Sequence, residues 1–354
     1  MATSSDKTNQ QHQARVNSYA KKVDAKYKST WDAIMRIAAS SNIDPTKPFA
    51  LKDYPSIAVR VEHLLNALYS SIDIEIKSAI DIEWEAANSI NDQLVLSTLT
   101  KVDEKMLEGY MNGNKEAREA FKNRVEGKMN LSDRVWNLKG QTKQELEMAI
   151  DVGIADGKSA AEMSRDVRQY LNEPNKLFRR VRDLRGQLQL SKAAQNFKSE
   201  YSGRGHYKSS YKNAMRLTRT ETNIAYHNAN FERWQQLDFI VGVEVKLSNN
   251  HTNNGVPFTD VCDDLKGKYP KDFKFVGWHP QCRCHIETIM MTNQELNDTE
   301  MQLMNDEPVQ TDSKNTVKSV PQNFKKWTAE NKERIDNWKS KPYFIRDNPD
   351  YFKA

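Results

Sequence analysis

Apolar residues recur at steps of three and four along much of the chain, the spacing that places side chains on one face of an α-helix. This pattern predicts a helix over 29–40, a long helix over 57–99 and a further helix that begins near residue 213. The first residues of the chain carry few large apolar side chains. We therefore expect a mobile N-terminal arm over 1–28, followed by a helical body over 29–212.

A helix pair is predicted inside this body, between residues 131 and 173. Ser132 is a candidate N-cap for the first helix, because its hydroxyl can accept a hydrogen bond from a free N–H of the first turn. Gly157 suits the left-handed residue that ends such a helix. Ser159, followed three positions later by Glu162, has the spacing of a capping box for the second helix.

The hydrophobic period then changes from helical to alternating. Val241, Val243 and Val245 stand two apart, which places them on one face of a β-strand. A second strand is predicted over 283–291, where the chain reads "RCHIETIMM".

These elements together predict an α+β fold that is predominantly helical. The helical N-terminal body leads into a small α+β Cys/His module over 213–291. An extended C-terminal tail over 292–354 follows, beginning with a polar linker. The sequence leaves open whether this tail docks on its own chain or on a partner.

The composition excludes two classes of protein. No run approaches the roughly 18 apolar residues that a membrane-spanning helix needs, and the N-terminus lacks the apolar core of a secretory signal. The chain has 3 cysteines, an odd and small number that argues against a disulfide framework and for a reducing compartment. Because no run is long and apolar enough to span a bilayer, we expect no membrane among the partners.

Positive charge is concentrated between residues 174 and 220. The whole chain carries a formal net charge of +5, whereas this basic segment holds twelve Lys or Arg against two acids, Asp183 and Glu200. Clustered cations can neutralise phosphates, although they carry no sequence specificity by themselves. A solvated helix face with a basic loop is an equally open interpretation. The candidate nucleic-acid-binding residues are Arg179, Arg180, Arg182, Arg185, Arg204, Lys208, Lys212 and Arg216.

The most specific chemistry lies in the stretch "GWHPQCRCHIETIM". Cys282 and Cys284 are two apart, so both thiols face the same side if this segment is extended. His279 precedes them, and Cys262 can join from a separate loop. Three thiolates and an imidazole form a tetrahedral set that favours Zn²⁺ over Mg²⁺ or Ca²⁺. The candidate ligands of a structural zinc are Cys262, His279, Cys282 and Cys284, with His251 as an alternative ligand.

Two other interpretations of this stretch remain open. The thiols can pack as small buried hydrophobic groups, with His279 and Arg283 hydrogen-bonding a turn, or one Cys or His can be catalytic. A disulfide between Cys282 and Cys284 would be strained, because the two residues are so close along the chain. The spacing also differs from the common paired C-x2-C arrays of zinc sites.

Three segments, "VKLSNNH", "DVCDDLKGK" and "WHPQCRCHIETI", resemble in their order the signature of the phage Mu F-like minor head proteins. In that family a strand end leads to a Cys-Asp pair, a variable loop and His-Pro-x-Cys-Arg-Cys before a closing strand. The preceding "RLTRTETNIAYHNANFERW" is similar to the family's Arg-Thr-Glu helix, so Arg219, Thr220 and Glu221 match a second motif. With the helix pair before it, the resemblance covers roughly residues 130–290, and two separated motifs in the right order are more specific than either alone.

This resemblance implies a minor capsid protein of a tailed bacteriophage or prophage. Such a protein binds the portal protein, other head proteins and DNA in the virion head near the portal vertex, after a stage in the bacterial host cytoplasm. It acts in head assembly, DNA retention or ejection, and no enzyme activity is implied. Arg219, Glu221 and Asp263 are expected to stabilise the module. A buried ion pair formed by Arg219 or Glu221 is expected to hold the Arg-Thr-Glu helix against the cysteine segment. Acid–base catalysis by Arg219 and Glu221 is the rival interpretation.

Two other functions are kept as alternatives. One is a zinc- or other metal-dependent nuclease that uses His251, Asp263 and His279, which requires a metal with an open coordination position. The other is a toxin-delivery module, although the chain after Met290 is short for an enzymatic domain.

Overall fold

The computed structural model describes residues 4–47, 49–103, 105, 107–173, 179–182, 185, 188–190, 209–248, 252–253, 256–310 and 312–352. The chain divides into two compact units. Unit 1 comprises 1–16, 79–122 and 220–354, and unit 2 comprises 17–78 and 123–219.

The described residues form a predominantly helical fold with a small three-stranded sheet, which confirms the predicted α+β class. None of the described helices combines the length and apolar character that crossing a membrane requires. The helices are α1 (Ser4–Ala39), α2 (Pro55–Thr98), α3 (Lys115–Asn123), α4 (Leu131–Ala155), α5 (Ala160–Asn172), α6 (Ser210–Gln236), α7 (Val261–Leu265), α8 (Asn293–Met304), α9 (Gln322–Glu330), α10 (Lys332–Asn337) and α11 (Tyr343–Arg346). The strands are β1 (Arg179–Arg182), β2 (Leu188–Leu190), β3 (Ile240–Lys246), β4 (Thr252–Asn253), β5 (Val256–Pro257), β6 (Gly267–Tyr269) and β7 (His285–Met290).

Helix α1 shows that the prediction of a mobile arm over 1–28 was wrong. The helix begins at Ser4, and its few apolar residues fall on one stripe. Tyr19, Val23 and Tyr27 follow at steps of four and are all buried. Two tyrosines and a valine are enough to bury one face of a helix whose other faces are charged. A count of large aliphatic residues misses such a stripe.

The predicted helix pair forms α4 and α5 in unit 2. Helix α5 begins with the predicted capping box, in which the Ser159 side chain accepts from the Glu162 N–H and the Glu162 carboxylate accepts from the Ser159 N–H. Gly157 follows α4 in the left-handed region, at φ +66°. Between these ends, Gly153 faces Met163 so closely that a β-carbon there would have no room.

The N-cap of α4 is Asn130, so the assignment to Ser132 was wrong. The Asn130 side chain accepts from the Asp133 N–H, and the Asp133 carboxylate accepts from the Asn130 N–H. Asn and Asp at this spacing close the same reciprocal box as Ser and Glu. The Ser132 hydroxyl instead donates to Asp73 Oδ1 at 2.8 Å.

The sheet of unit 1 is built around β3, which pairs antiparallel with β6 on one side and β7 on the other. Val243 is opposite Tyr269 of β6 and Thr288 of β7. Strand β7 is the predicted second strand. The sheet packs against a cluster of buried aromatic residues, Phe239, Tyr269, Phe273, Phe275 and Trp278.

The C-terminal tail packs on the core of the same unit. Phe324 of α9 and Phe344 of α11 are buried in the aromatic cluster that covers the sheet. The Asn348 side chain accepts from the Lys274 N–H at 2.7 Å and donates to the Lys274 carbonyl at 2.8 Å, as a neighbouring strand would. The described part of the tail therefore docks within its own chain.

Candidate metal centre

A short helix positions the first candidate ligand, Cys262. The Asp260 side chain accepts from the Cys262 N–H at 2.8 Å, and the Asp263 carboxylate accepts from the Asp260 N–H at 3.0 Å. This capping box fixes Cys262 in the first turn of α7, where the residue is buried. The carboxylate of Asp263 is thus engaged in the start of this helix.

A tight turn positions two further ligands. The Cys282 N–H donates to the His279 carbonyl at 3.0 Å, and Gln281 between them adopts a φ of +62°. Gly277 stands just before the turn at φ +116°, and a β-carbon on it would lie 3.1 Å from Cys282 Cβ. Glycine is needed there both for the backbone conformation and for the close approach. The turn carries His279 and Cys282 to the thiol of Cys262.

The resulting cluster has the dimensions of a tetrahedral metal site. Cys262 Sγ lies 3.2 Å from His279 Nε2 and 3.8 Å from Cys282 Sγ. All three ligand atoms lie within 4.8 Å of one another. Zn–S bonds of about 2.3 Å and Zn–N bonds of about 2.0–2.1 Å at tetrahedral angles imply S···S near 3.8 Å and S···N near 3.6 Å. This group could therefore hold a metal ion.

The imidazole of His279 is oriented for coordination. Its Nδ1 lies 2.9 Å from the Pro280 carbonyl, which can only accept, so Nδ1 carries the proton. In the neutral ring, Nε2 then keeps a lone pair, and this atom faces Cys262 Sγ. A backbone carbonyl on the second nitrogen is the usual way in which proteins fix a histidine ligand. Asp260 Oδ2 also lies 3.4 Å from Nε2.

Cys284, the fourth predicted ligand, lies beside the group of three. It is buried, and its thiol interacts with those of Cys262 and Cys282. Hydrogen bonds from the Cys262 and Cys284 thiols hold the pKa of Cys282 well below its ordinary value. All three cysteines are free thiols. The predicted alternative ligand His251 lies outside the described residues.

The second motif of the resemblance contacts this turn directly. Thr220 of α6 accepts from the Gln281 N–H through its hydroxyl at 3.2 Å. Glu221, the next residue, is buried, and Arg219 is partly exposed. The ion pair predicted from Arg219 or Glu221 stays a prediction.

Sequence reasoning missed a buried polar cluster in unit 1. His12 Nδ1 lies 2.7 Å from Glu83 Oε2, and His12 Nε2 lies 3.0 Å from Asn223 Oδ1. Arg15 binds the same Glu83 carboxylate through Nε at 2.7 Å and Nη2 at 3.0 Å. Burial raises the pKa of Glu83, but the bonds from His12 and Arg15 outweigh it and leave that pKa below its ordinary value. One signal was present: Glu83 occupies a buried position in the apolar series of α2, three residues after Ile80.

The predicted nucleic-acid-binding residues are only partly described. Arg179, Arg180 and Arg182 lie on β1, and Arg185 is exposed between β1 and β2. Lys212 and Arg216 lie on α6 and are half-buried. Arg204 and Lys208 lie outside the described residues. A nucleic-acid surface on this segment stays a prediction.

No protein-family profile, curated protein or solved structure matches this chain. The resemblance to the Mu F-like proteins therefore stays a prediction from the sequence motifs.

Proposed function

We propose that this chain is a minor head protein of a tailed bacteriophage or prophage, and that a structural zinc ion stabilises its Cys/His module over 213–291. One observation carries the proposal. The two motifs that resemble the family lie far apart in sequence, yet Thr220 of the Arg-Thr-Glu helix binds the backbone of the His-Pro-x-Cys-Arg-Cys turn. If the two motifs belong to one family signature, we expect them to contact each other in the folded module, as this hydrogen bond does.

The zinc part of the proposal follows from the donor set. Cys262, His279 and Cys282 supply three ligands at tetrahedral spacing, and Cys284, or His251 in its place, supplies the fourth. The three thiols are buried, which suits a closed structural site, whereas a catalytic zinc keeps one position open. The ion links α7, the turn and the start of β7, and supplies part of the folding free energy of the module.

Metal analysis of the purified full-length chain tests this part. We expect about one zinc per chain, lost together with thermal stability in Cys262→Ser and Cys282→Ser. His63→Gln, which alters an exposed histidine on α2, is the matched control and should keep its zinc. Loss of zinc in Cys284→Ser identifies Cys284 as the fourth ligand. Native protein with less than roughly 0.2 zinc per chain would reject the site.

The virion part of the proposal concerns the partners. We propose that the chain binds the portal protein and other head proteins, and that its basic segment binds double-stranded DNA. Mass spectrometry of purified particles should find the chain at low copy number and co-purifying with the portal protein. Mobility shifts on duplex DNA should weaken steeply between 50 and 200 mM salt if several phosphates are contacted. Particles that lack the chain would overturn this part and leave the zinc result standing.

No particular observation favours the nuclease alternative. It requires Asp263 as a metal ligand, whereas that carboxylate accepts the Asp260 N–H in the helix cap. Metal-dependent DNA cleavage that is lost in His279→Ala, with the fold intact, would nevertheless replace the structural account.

A further inference from the structure

An open groove of about 650 Å³ lies on unit 2, between the end of α1 and the start of α2. Its lining includes apolar side chains from both helices, Ile37 of α1 and Leu64 of α2. Val59 of α2 also lines the groove and is 70% exposed. Single exposed apolar residues are ordinary on protein surfaces, whereas a concave group of them is typical of a surface that a partner covers.

The groove also carries positive charge. Arg36 and Arg60 both line it and are exposed, and neither guanidinium has an ion-pair or hydrogen-bond partner among the described residues. No Asp or Glu is among the described residues that line the groove. The neighbouring acids Asp32 and Glu62 are each already paired with another cation. A partner that fits this groove therefore combines acidic groups with an apolar face.

Helix α8 of unit 1 presents a surface of this complementary kind. Its residues Leu296 and Leu303 pack against the core of the unit, and Met301 and Met304 face outward, at 60% and 52% exposed. Residues three apart on a helix are neighbours on its surface. Among the described residues, no other two exposed large hydrophobic side chains lie within one helical turn of each other.

Acidic residues flank the two methionines. Asp298 stands three positions before Met301 on α8, and Glu307 follows the helix, where its backbone N–H bonds back to the last turn. Both side chains are exposed, and neither carboxylate has an ion-pair partner among the described residues. Lys101, beside this helix, is bound to the buried Glu300 at 3.1 Å and so does not neutralise them.

We propose that the groove on α1 and α2 is an interaction surface for α8 of a second copy of this chain. The two exposed methionines of α8 cover the apolar side chains of the groove, and its two flanking acids pair with the two arginines. Met and Arg are both enriched in protein interfaces. A nucleic acid could also engage the two arginines, but its phosphates would gain nothing from the apolar side chains between them.

The contact is head-to-tail, because it joins two different surfaces, so each copy can engage a partner on either side. A helix of 12 residues in one groove buries less than the roughly 1,200 Å² of a stable interface, so we expect a reversible contact with a Kd on the order of 100 µM. The proposal is independent of the phage assignment and of the zinc, since it uses neither the Cys/His cluster nor the basic segment.

Sedimentation of the full-length chain over about 10–500 µM, a range that brackets such a Kd, tests the proposal. The average mass of the native chain should rise with concentration, and less so at high salt. The groove variant carries Arg36→Glu with Arg60→Glu, and the helix variant carries Asp298→Lys with Glu307→Lys. Each reverses the charge on one side of the contact, so each should raise the Kd at least about tenfold.

An equimolar mixture of the two variants gives the sharpest result. Association should return, because the intact groove of the helix variant meets the intact α8 of the groove variant. A variant with Lys143→Glu and Lys325→Glu is the matched control: it has the net charge of the groove variant, alters exposed lysines of α4 and α9, and should associate like the native chain. Circular dichroism shows whether each variant retains its fold.

A native chain that stays monomeric over this range would overturn the proposal, as would a mixture that stays monomeric. So would either variant that keeps its fold and associates as the native chain does. If the groove variant associates normally but binds duplex DNA more weakly, the groove belongs to nucleic acid and the proposal is wrong.

Discussion

Glu145 of α4 is a buried carboxyl whose proton should set a pH dependence on the stability of unit 2. Its two oxygens accept from the Ser210 N–H at 2.8 Å and from the Ser210 hydroxyl at 2.5 Å, at the start of α6. Burial raises the pKa of Glu145 from its ordinary 4.5 to about 8, although the hydrogen bonds from Ser210 act against the shift. The folded chain therefore holds this carboxyl protonated at neutral pH.

The sign of the effect follows from the two pKa values. The folded-state pKa lies above the unfolded one, so the folded chain holds one extra proton between pH 4.5 and about 8. The stability contribution is complete below pH 4.5 and is lost as the pH rises through about 8. One pKa unit corresponds to about 1.4 kcal/mol, so two pH units inside this window remove about 3 kcal/mol from the free energy of unfolding.

The substitution Glu145→Gln isolates this contribution, because it keeps the side-chain shape and removes the titration. Urea unfolding followed by circular dichroism between pH 5.5 and 7.5 gives the stability of each variant. The free energy of unfolding of the native chain, minus that of Glu145→Gln, should fall by about 3 kcal/mol over this range. Glu147→Gln, on the same helix as Glu145, is the matched control, and its stability should follow the native curve. The half-buried carboxylate of Glu147 accepts from the Leu51 N–H at 3.0 Å. If Glu145→Gln also follows the native curve, the carboxyl is ionised in the folded chain and the argument from burial is wrong.

Two further substitutions test the packing of unit 1. Gly242→Ala would place a β-carbon 2.5 Å from Val317 Cγ2, where the tail crosses β3. We expect it to lower the free energy of unfolding by about 1–3 kcal/mol in urea titrations, and Gly242→Ala with Val317→Gly should recover part of the loss; additive effects would show that the tail does not press on the strand. Asn91→Ala leaves the Trp234 indole N–H and Asn230 Oδ1 without their partner. It should cost about 2–4 kcal/mol, with a lower midpoint in thermal denaturation, and a midpoint within a degree of native would contradict the role given to this network.

The elements that could be predicted are those whose apolar residues follow one clear period in the sequence. Helix α2 keeps apolar residues at helical steps over most of its 44 residues, and β3 alternates Val241, Val243 and Val245. Such patterns need no knowledge of the surrounding fold. The capping box of Ser159 and Glu162 was predictable for the same reason, because both partners lie within one turn.

The candidate metal centre could be predicted only in part. The thiols of Cys282 and Cys284 share a short segment, so their proximity follows from sequence. Whether Cys262 reaches His279 depends on a cap at Asp260 and on a left-handed turn at Gln281. Neither feature has a periodic signal. A separation of 17 residues becomes a contact of 3.2 Å only after the module folds.

Helix α6 shows why hydrophobic periodicity fails for part of this protein. Residues 221–230, "ETNIAYHNAN", are buried without interruption, although a polar helix of this composition would ordinarily face solvent on at least one side. Its polar groups can be buried because neighbouring helices supply matched partners, such as His12 for Asn223 and Asn91 for Asn230.

A polar helix enclosed in this way tolerates few arrangements of its neighbours, since a small shift leaves several donors unpaired at once. Residues 221–230, which begin with the Glu of the Arg-Thr-Glu motif, therefore restrict how the helices of unit 1 can pack. We expect substitutions of these residues to destabilise the fold before they weaken any binding activity. Partners are therefore better sought with variants of exposed residues, such as Arg185, than with variants of the buried motif.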